Sequence, residues 1–124
     1  MEILKVLSRI YIDSSDLYTS IKYYENLFDK KCKMIIEHPA GLELAVVGPI
    51  LLIAGSEDDL KPFKETSLTF LVDSINEFRK KIGVDNTIIL SEPREVPTGM
   101  NMRVQHPDGV IVEYVEFKKN LKLD

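Results

Sequence analysis

Apolar residues along the chain follow two periods, and the order of those periods repeats. "KVLSRIYID" (5–13) is rich in β-branched and aromatic residues and predicts a strand. In "SSDLYTSIKYYENLFDKK" the apolar residues Leu17, Ile21, Tyr24 and Phe28 recur at helical spacing behind Asp16, a good N-cap. "KMIIEH", "LELAVVG" and "ILLIAG" then predict strands, and the polar "SEDDLKPFKE" reads as a linker. After it the order restarts, with "TSLTFLVD" as a strand and "SINEFRKKIG" as a helix. Ser74 and Glu77 have capping-box spacing there, Ile75, Phe78 and Ile82 share a face, and Gly83 is the expected stop. "NTIILSE", "NMRVQ" and "VIVEYVEF" complete the second half as strands.

The pattern is therefore βαβββ twice, an α+β chain. It predicts a single domain over 1–124: module one at about 4–55, a linker at 56–65, module two at 66–117 and a tail at 118–124. Each module has a helix for only one sheet face, so the other face needs another use. Two such sheets curling toward each other would form a cupped sheet around one cleft.

Composition narrows the function classes. The chain has 124 residues, a size that buries a substantial core, and is 44% hydrophobic and 29% charged, as in ordinary soluble domains. The net charge is −4 and the basic block is confined to the tail "FKKNLK", which argues against nucleic acid as a partner. Apolar runs such as "LAVVGPILLIAG" are broken by Gly and Pro and too short to span a bilayer, so no membrane partner is expected. Strand-like sequence begins at once with Lys5 among it, without a signal peptide, and Cys32 is the one cysteine; both fit a cytoplasmic location. There is no phosphate-cradling glycine loop, no Ser/His/Asp set and no histidine pair at ligand spacing.

The closing stretch "HPDGVIVEYVEF" (106–117) carries the most specific local geometry. "H-P-D-G-V" fits a type I turn with Gly109 left-handed, which sets His106 opposite Val110. Counting outward, Gln105 faces Ile111 and Arg103 faces Glu113 on one sheet face. His38 in "EHPAG" and His106 read as exposed turn residues. "PREVPTGMNMR" (93–103) reads as a long connection at the rim of a site, with Gly99 as a point of positive φ or close approach and Arg94 as a lid contact or a plain exposed arginine. Met100 and Met102 are either an apolar ligand wall or core filler.

"DLYTSIKYYENLF" after a strand, with the closing "HPDGVIVEYVE", resembles the signature segments of the glyoxalase, bleomycin-resistance and extradiol-dioxygenase proteins, the vicinal oxygen chelate superfamily. The resemblance runs from about Leu4 to Phe117. It implies paired βαβββ modules around a cleft, usually in a homodimer, and it spans metalloenzymes and metal-free binders. Its metalloenzymes draw one ligand from the first and last strand of each module. Carried over residue by residue, the resemblance implies Arg9, seven residues before the Asp of "DL", and its equivalent Ser67 on the first strands, and Leu51 or Leu52 and Glu113 on the closing strands. Arginine has no lone pair to offer, and leucine and serine do not replace imidazole or carboxylate, so no metal and no cofactor are expected.

If the cleft face is the one the resemblance implies, Arg103 and Glu113 point into it, and Leu7, Arg9 and Tyr11 alternate to the same side. Arg9, Arg103, Glu113, Tyr11, Leu7, Ser67, Met100 and Met102 are then the expected ligand-binding residues. Two guanidiniums around one carboxylate leave a positive surplus suited to an anionic or carbonyl-bearing ligand. The competing account is that these charges neutralise one another on a partly wet face. The expected function is metal-independent small-molecule binding of the bleomycin-resistance type. The alternatives are a glyoxalase-like lyase or isomerase or a dioxygenase-type enzyme, and a purely structural module. For the enzyme, guanidiniums beside a carboxylate weaken it as a base.

Overall fold

The computed structural model describes residues 1–83 and 85–118; of the expected tail, residues 119–124 lie outside the described residues. The chain is α+β, with the elements in the expected twofold order. The first half holds β1 (Ile3–Asp13), α1 (Leu17–Phe28), β2 (Met34–His38), β3 (Leu42–Val47) and β4 (Ile50–Gly55). After a helical turn, α2 (Glu57–Leu60), come β5 (Thr66–Val72), α3 (Ile75–Ile82), β6 (Ile88–Val96), β7 (Gly99–Gln105) and β8 (Ile111–Phe117). No helix among the described residues is long and apolar enough to cross a membrane.

The chain packs as two units whose boundary cuts β1: Ser8–Glu65 form one, and Met1–Leu7 with the chain from Thr66 onward form the other. In the Ser8–Glu65 unit the strand order is β2-β3-β4-β1, with β1 parallel to β4 and the rest antiparallel. α1 covers one face through Leu17 and Ile21, which join Ala45, Val47, Ile50, Leu52 and Ala54, with Tyr24 and Phe28 against them. The helical spacing read from the sequence is the spacing that packs, and each fully buried aliphatic contributes roughly 1.5–3 kcal/mol. Asp16 occupies the N-cap position, but its side chain makes no capping bond. Instead a 3₁₀ turn, Ser14–Asp16, precedes the helix, and the Asp13 carboxylate accepts from the Ser15 amide (3.0 Å) and hydroxyl (2.6 Å). These bonds hold the Asp13 carboxyl below the usual carboxylate range, the hydroxyl contributing most.

In the second unit the order is β1-β5-β8-β7-β6, with β5 parallel to β8. α3 packs Ile75 and Phe78 on Val72, Met102, Val104, Val112 and Tyr114. Its N-terminus is capped twice: Ser74 Oγ accepts from the Glu77 amide (3.3 Å), and Glu116 Oε1 on β8 accepts from the Ile75 amide (2.8 Å). Gly83 ends the helix as expected, in a right-handed conformation (φ −81°).

Two further expectations are corrected. The segment 56–65 is more than a linker: Ser56 caps α2, Leu60 is buried, and the segment folds back into its own unit. The supposed long connection at 93–103 is strand on both sides of a turn at Pro97 and Thr98. Proline reads as a strand breaker, yet β6 is the last strand of its sheet, and its pairing with β7 is irregular between Ser91 and Arg94, where Pro93 lies. Arg94 therefore lies on a strand, where its Nε donates to Asn101 Oδ1 (3.3 Å). Gly99 opens β7 at φ 150°, and a Cβ there would run into the Glu116 carbonyl. Gly99→Ala should lower the unfolding free energy by about 2–4 kcal/mol in urea titrations. A loss under about 0.5 kcal/mol would show that the hairpin and β8 are not held in this contact.

Candidate ligand-binding face

The β7–β8 hairpin forms as its turn residues dictate. Gly109 is left-handed (φ 91°), its amide donates to the His106 carbonyl (2.9 Å), and the His106 amide donates to the Val110 carbonyl (2.9 Å). The resulting register pairs Gln105 with Ile111 and Arg103 with Glu113. Strand neighbours alternate, so Met102, Val104, Val112 and Tyr114 turn toward α3 while Arg103 and Glu113 take the opposite face. On that face Ser91 of β6 pairs with Arg103, and Thr69 of β5 pairs with Glu113. Ser91, Arg103, Glu113 and Thr69 therefore form one polar row across four strands, Thr69 being 3% exposed and the others half-buried. Arg103, Glu113 and Thr69 each hold partners within the fold.

Thr69, which the sequence reading missed, takes the place assigned to Ser67. Counting back from the helix start fails because the first half inserts the 3₁₀ turn Ser14–Asp16 between strand and helix, and the second half has no counterpart. The pairing of β5 with β8 is also irregular between Thr66 and Leu68, which leaves Ser67 out of the ladder and exposed.

In the Ser8–Glu65 unit, Arg9 pairs with Leu51 and Tyr11 with Ile53, on the face away from α1. This settles the one-residue ambiguity: Leu51 is the partner, and Leu52 belongs to the core under α1. Arg9 Nη1 donates to Tyr11 Oη (3.2 Å), and Tyr11 Oη donates to the Phe63 carbonyl (2.5 Å). Arg9 and Tyr11 thus hold down the segment after α2, against which the His38 ring also sits edge-on to Phe63. Leu7, in the other unit, is 1% exposed and has no surface to offer a ligand.

Neither methionine sits on the face of Arg103. Met102 is fully buried in the α3 cluster, and Met100 packs against that cluster and borders an open depression of about 300 Å³ with Glu95, Gly99 and Lys118, which includes neither Arg103 nor Glu113. His106 is likewise more than an exposed turn residue: its Nε2 lies 2.9 Å from the hydroxyl of Tyr114, whose burial, with Asp85 adding, pushes the phenol above its usual range. His38 Nδ1 accepts from the Ala40 amide (3.0 Å) and closes the turn after β2.

The donor chemistry of these places does not suit a divalent cation. Arg9 and Leu51 offer no lone pair, and Thr69 and Glu113 supply one carboxylate beside a guanidinium. No group of three His, Cys, Asp or Glu side chains able to hold a metal occurs among the described residues.

Comparison with solved structures finds the same fold in an uncharacterized hypothetical protein from Methanosarcina mazei, 44% identical over 99% of this chain and 98% of that one, with a TM-score of 0.84. Methylmalonyl-CoA epimerase from Mycobacterium tuberculosis matches at 17% identity over 94% and 89% of the two chains, TM-score 0.70. The Streptomyces coelicolor epimerase (E43L), solved in complex with 2-nitronate-propionyl-CoA, matches at 17% over 98% and 100%, TM-score 0.67. At that identity the epimerases share the glyoxalase-like fold with this chain. No family model and no curated protein sequence matches the chain.

Placing Met102 in the core has a measurable consequence. Met102→Ala should cost about 2–5 kcal/mol of stability by denaturant unfolding. A cost below about 1 kcal/mol would return Met102 to the surface and to the list of ligand contacts.

Proposed function

We propose, from the premise that this chain belongs to one family with the uncharacterized Methanosarcina mazei protein, that it is a metal-independent small-molecule-binding protein whose ligand is anionic or carbonyl-bearing. The observation that carries this reading is the cross-strand pair of Arg103 and Glu113, flanked by Thr69 and Ser91 on the face away from α3. A guanidinium offers forked donors to a planar oxyanion, and the neighbouring carboxylate keeps the fork oriented. Glu113 then positions Arg103 and does no chemistry. Arg9, tied to Tyr11, is the second candidate anion holder, within its own unit. The reading includes a homodimer, which the exposed aliphatic side chains of Ile3, Leu4 and Val6 on β1 support.

A second reading, a glyoxalase-like lyase or isomerase, is favoured by one observation, the fold shared with methylmalonyl-CoA epimerases, one of them holding a nitronate ligand. It ranks second because Glu113 stands directly opposite Arg103, where a carboxylate serves to orient the guanidinium.

Calorimetric or thermal-shift screening of small organic acids against their amides tests the first reading. Acids should bind and amides should not, and Arg103→Met should cost roughly 1.5–3 kcal/mol of acid binding. Arg9→Met in the same screen tells whether Arg9 contributes to binding or only to stability. Equal binding of acids and amides would make the charged row structural.

A further inference from the structure

The polar row narrows the ligand further than its charge. We infer that the ligand is an α-hydroxy carboxylic acid, its carboxylate on Arg103 and its hydroxyl donating to Glu113. The inference rests on the anion-binding reading above and adds a second recognised group to it.

The argument comes from what the two opposed side chains can and cannot do. A guanidinium only donates and an ionised carboxylate only accepts. Directly opposed residues hold their Cβ atoms about 4.5–5.5 Å apart, so Arg103 and Glu113 meet the same small region of a ligand. Both side chains already have partners within the fold, and a ligand that displaces any of these contacts must replace them. A bare carboxylate satisfies Arg103 but sets a second anion beside Glu113, where like charges repel. A keto acid adds only another acceptor. A hydroxyl on the carbon next to the carboxylate gives Glu113 a neutral donor within the same small ligand. Thr69, buried on the far side of Glu113, can donate or accept and completes the set without demanding charge. An α-amino acid would also give Glu113 a donor, but it sets an ammonium next to the Arg103 guanidinium.

The test uses four probes with one aromatic body, which gives them measurable surface: phenyllactate, phenylpropionate, phenyllactamide and phenylalanine, titrated calorimetrically into the wild-type chain. Phenyllactate should bind roughly tenfold or more tighter than phenylpropionate, the scale of a hydrogen bond to a charged group. In Glu113→Gln, checked for folding by its melting curve, that gap should shrink to about threefold or less, because a neutral acceptor replaces a charged one. Equal affinity for the two acids, both well above the amide, overturns the hydroxyl inference and leaves the anion reading standing. Equal affinity for phenyllactate and phenyllactamide removes the anion reading and this inference with it. Tighter binding of phenylalanine than of phenyllactate overturns the inference, since Glu113 would then select a cation. A gap that persists in Glu113→Gln overturns the role given to Glu113.

Discussion

The pairing of β7 with β8 decides which charges meet, and the turn at His106–Val110 decides the pairing. Because side chains alternate along a strand, a slip of one residue in this hairpin would carry Arg103 and Glu113 into the α3 cluster and turn Met102 and Val104 out of it. The register is held at several points. Gly109 supplies the left-handed turn residue, Gly99 lets the start of β7 lie against Glu116, and Glu116 in turn caps α3. The same strand therefore presents Glu113 on one face and anchors the helix on the other, so the charged row stands on rigid structure, as precise recognition requires.

The parts legible in the sequence were those governed by local chemistry. Helical spacing at Leu17, Ile21, Tyr24 and Phe28 gave α1, and the Ser74 cap gave the start of α3. The turn residues gave the Arg103–Glu113 pair, since a hairpin register follows from its turn type and alternation. What escaped depends on context that spacing does not carry. The irregularity at Ser67 and the inserted 3₁₀ turn before α1 shift the equivalence between the halves, so Thr69 was missed. Pro93 hid the length of β6 because edge position, which excuses a proline, is a property of the whole sheet. Leu7 and Met102 were expected at the ligand, but both are buried, and depth of burial follows from tertiary packing that spacing does not carry.

The chain shares a fold with methylmalonyl-CoA epimerases and differs from a cation site in its donor chemistry. Where a metal site draws on several imidazole or carboxylate groups, one unit supplies a guanidinium with an aliphatic side chain and the other a hydroxyl with one carboxylate. Electrostatics and coordination chemistry agree here. A divalent cation brought beside Glu113 would also stand near Arg103, and two like charges at about 4 Å cost about 4 kcal/mol at an effective dielectric near 20.

The most direct measurement is the metal content of protein purified without chelator, set against that of Glu113→Gln. If the row binds anions through a positioned guanidinium, both proteins should carry far less than one equivalent of zinc, nickel or iron. A full equivalent in the wild-type chain that is lost in Glu113→Gln would contradict the account, because Glu113 would then be a metal ligand and not the partner that orients Arg103.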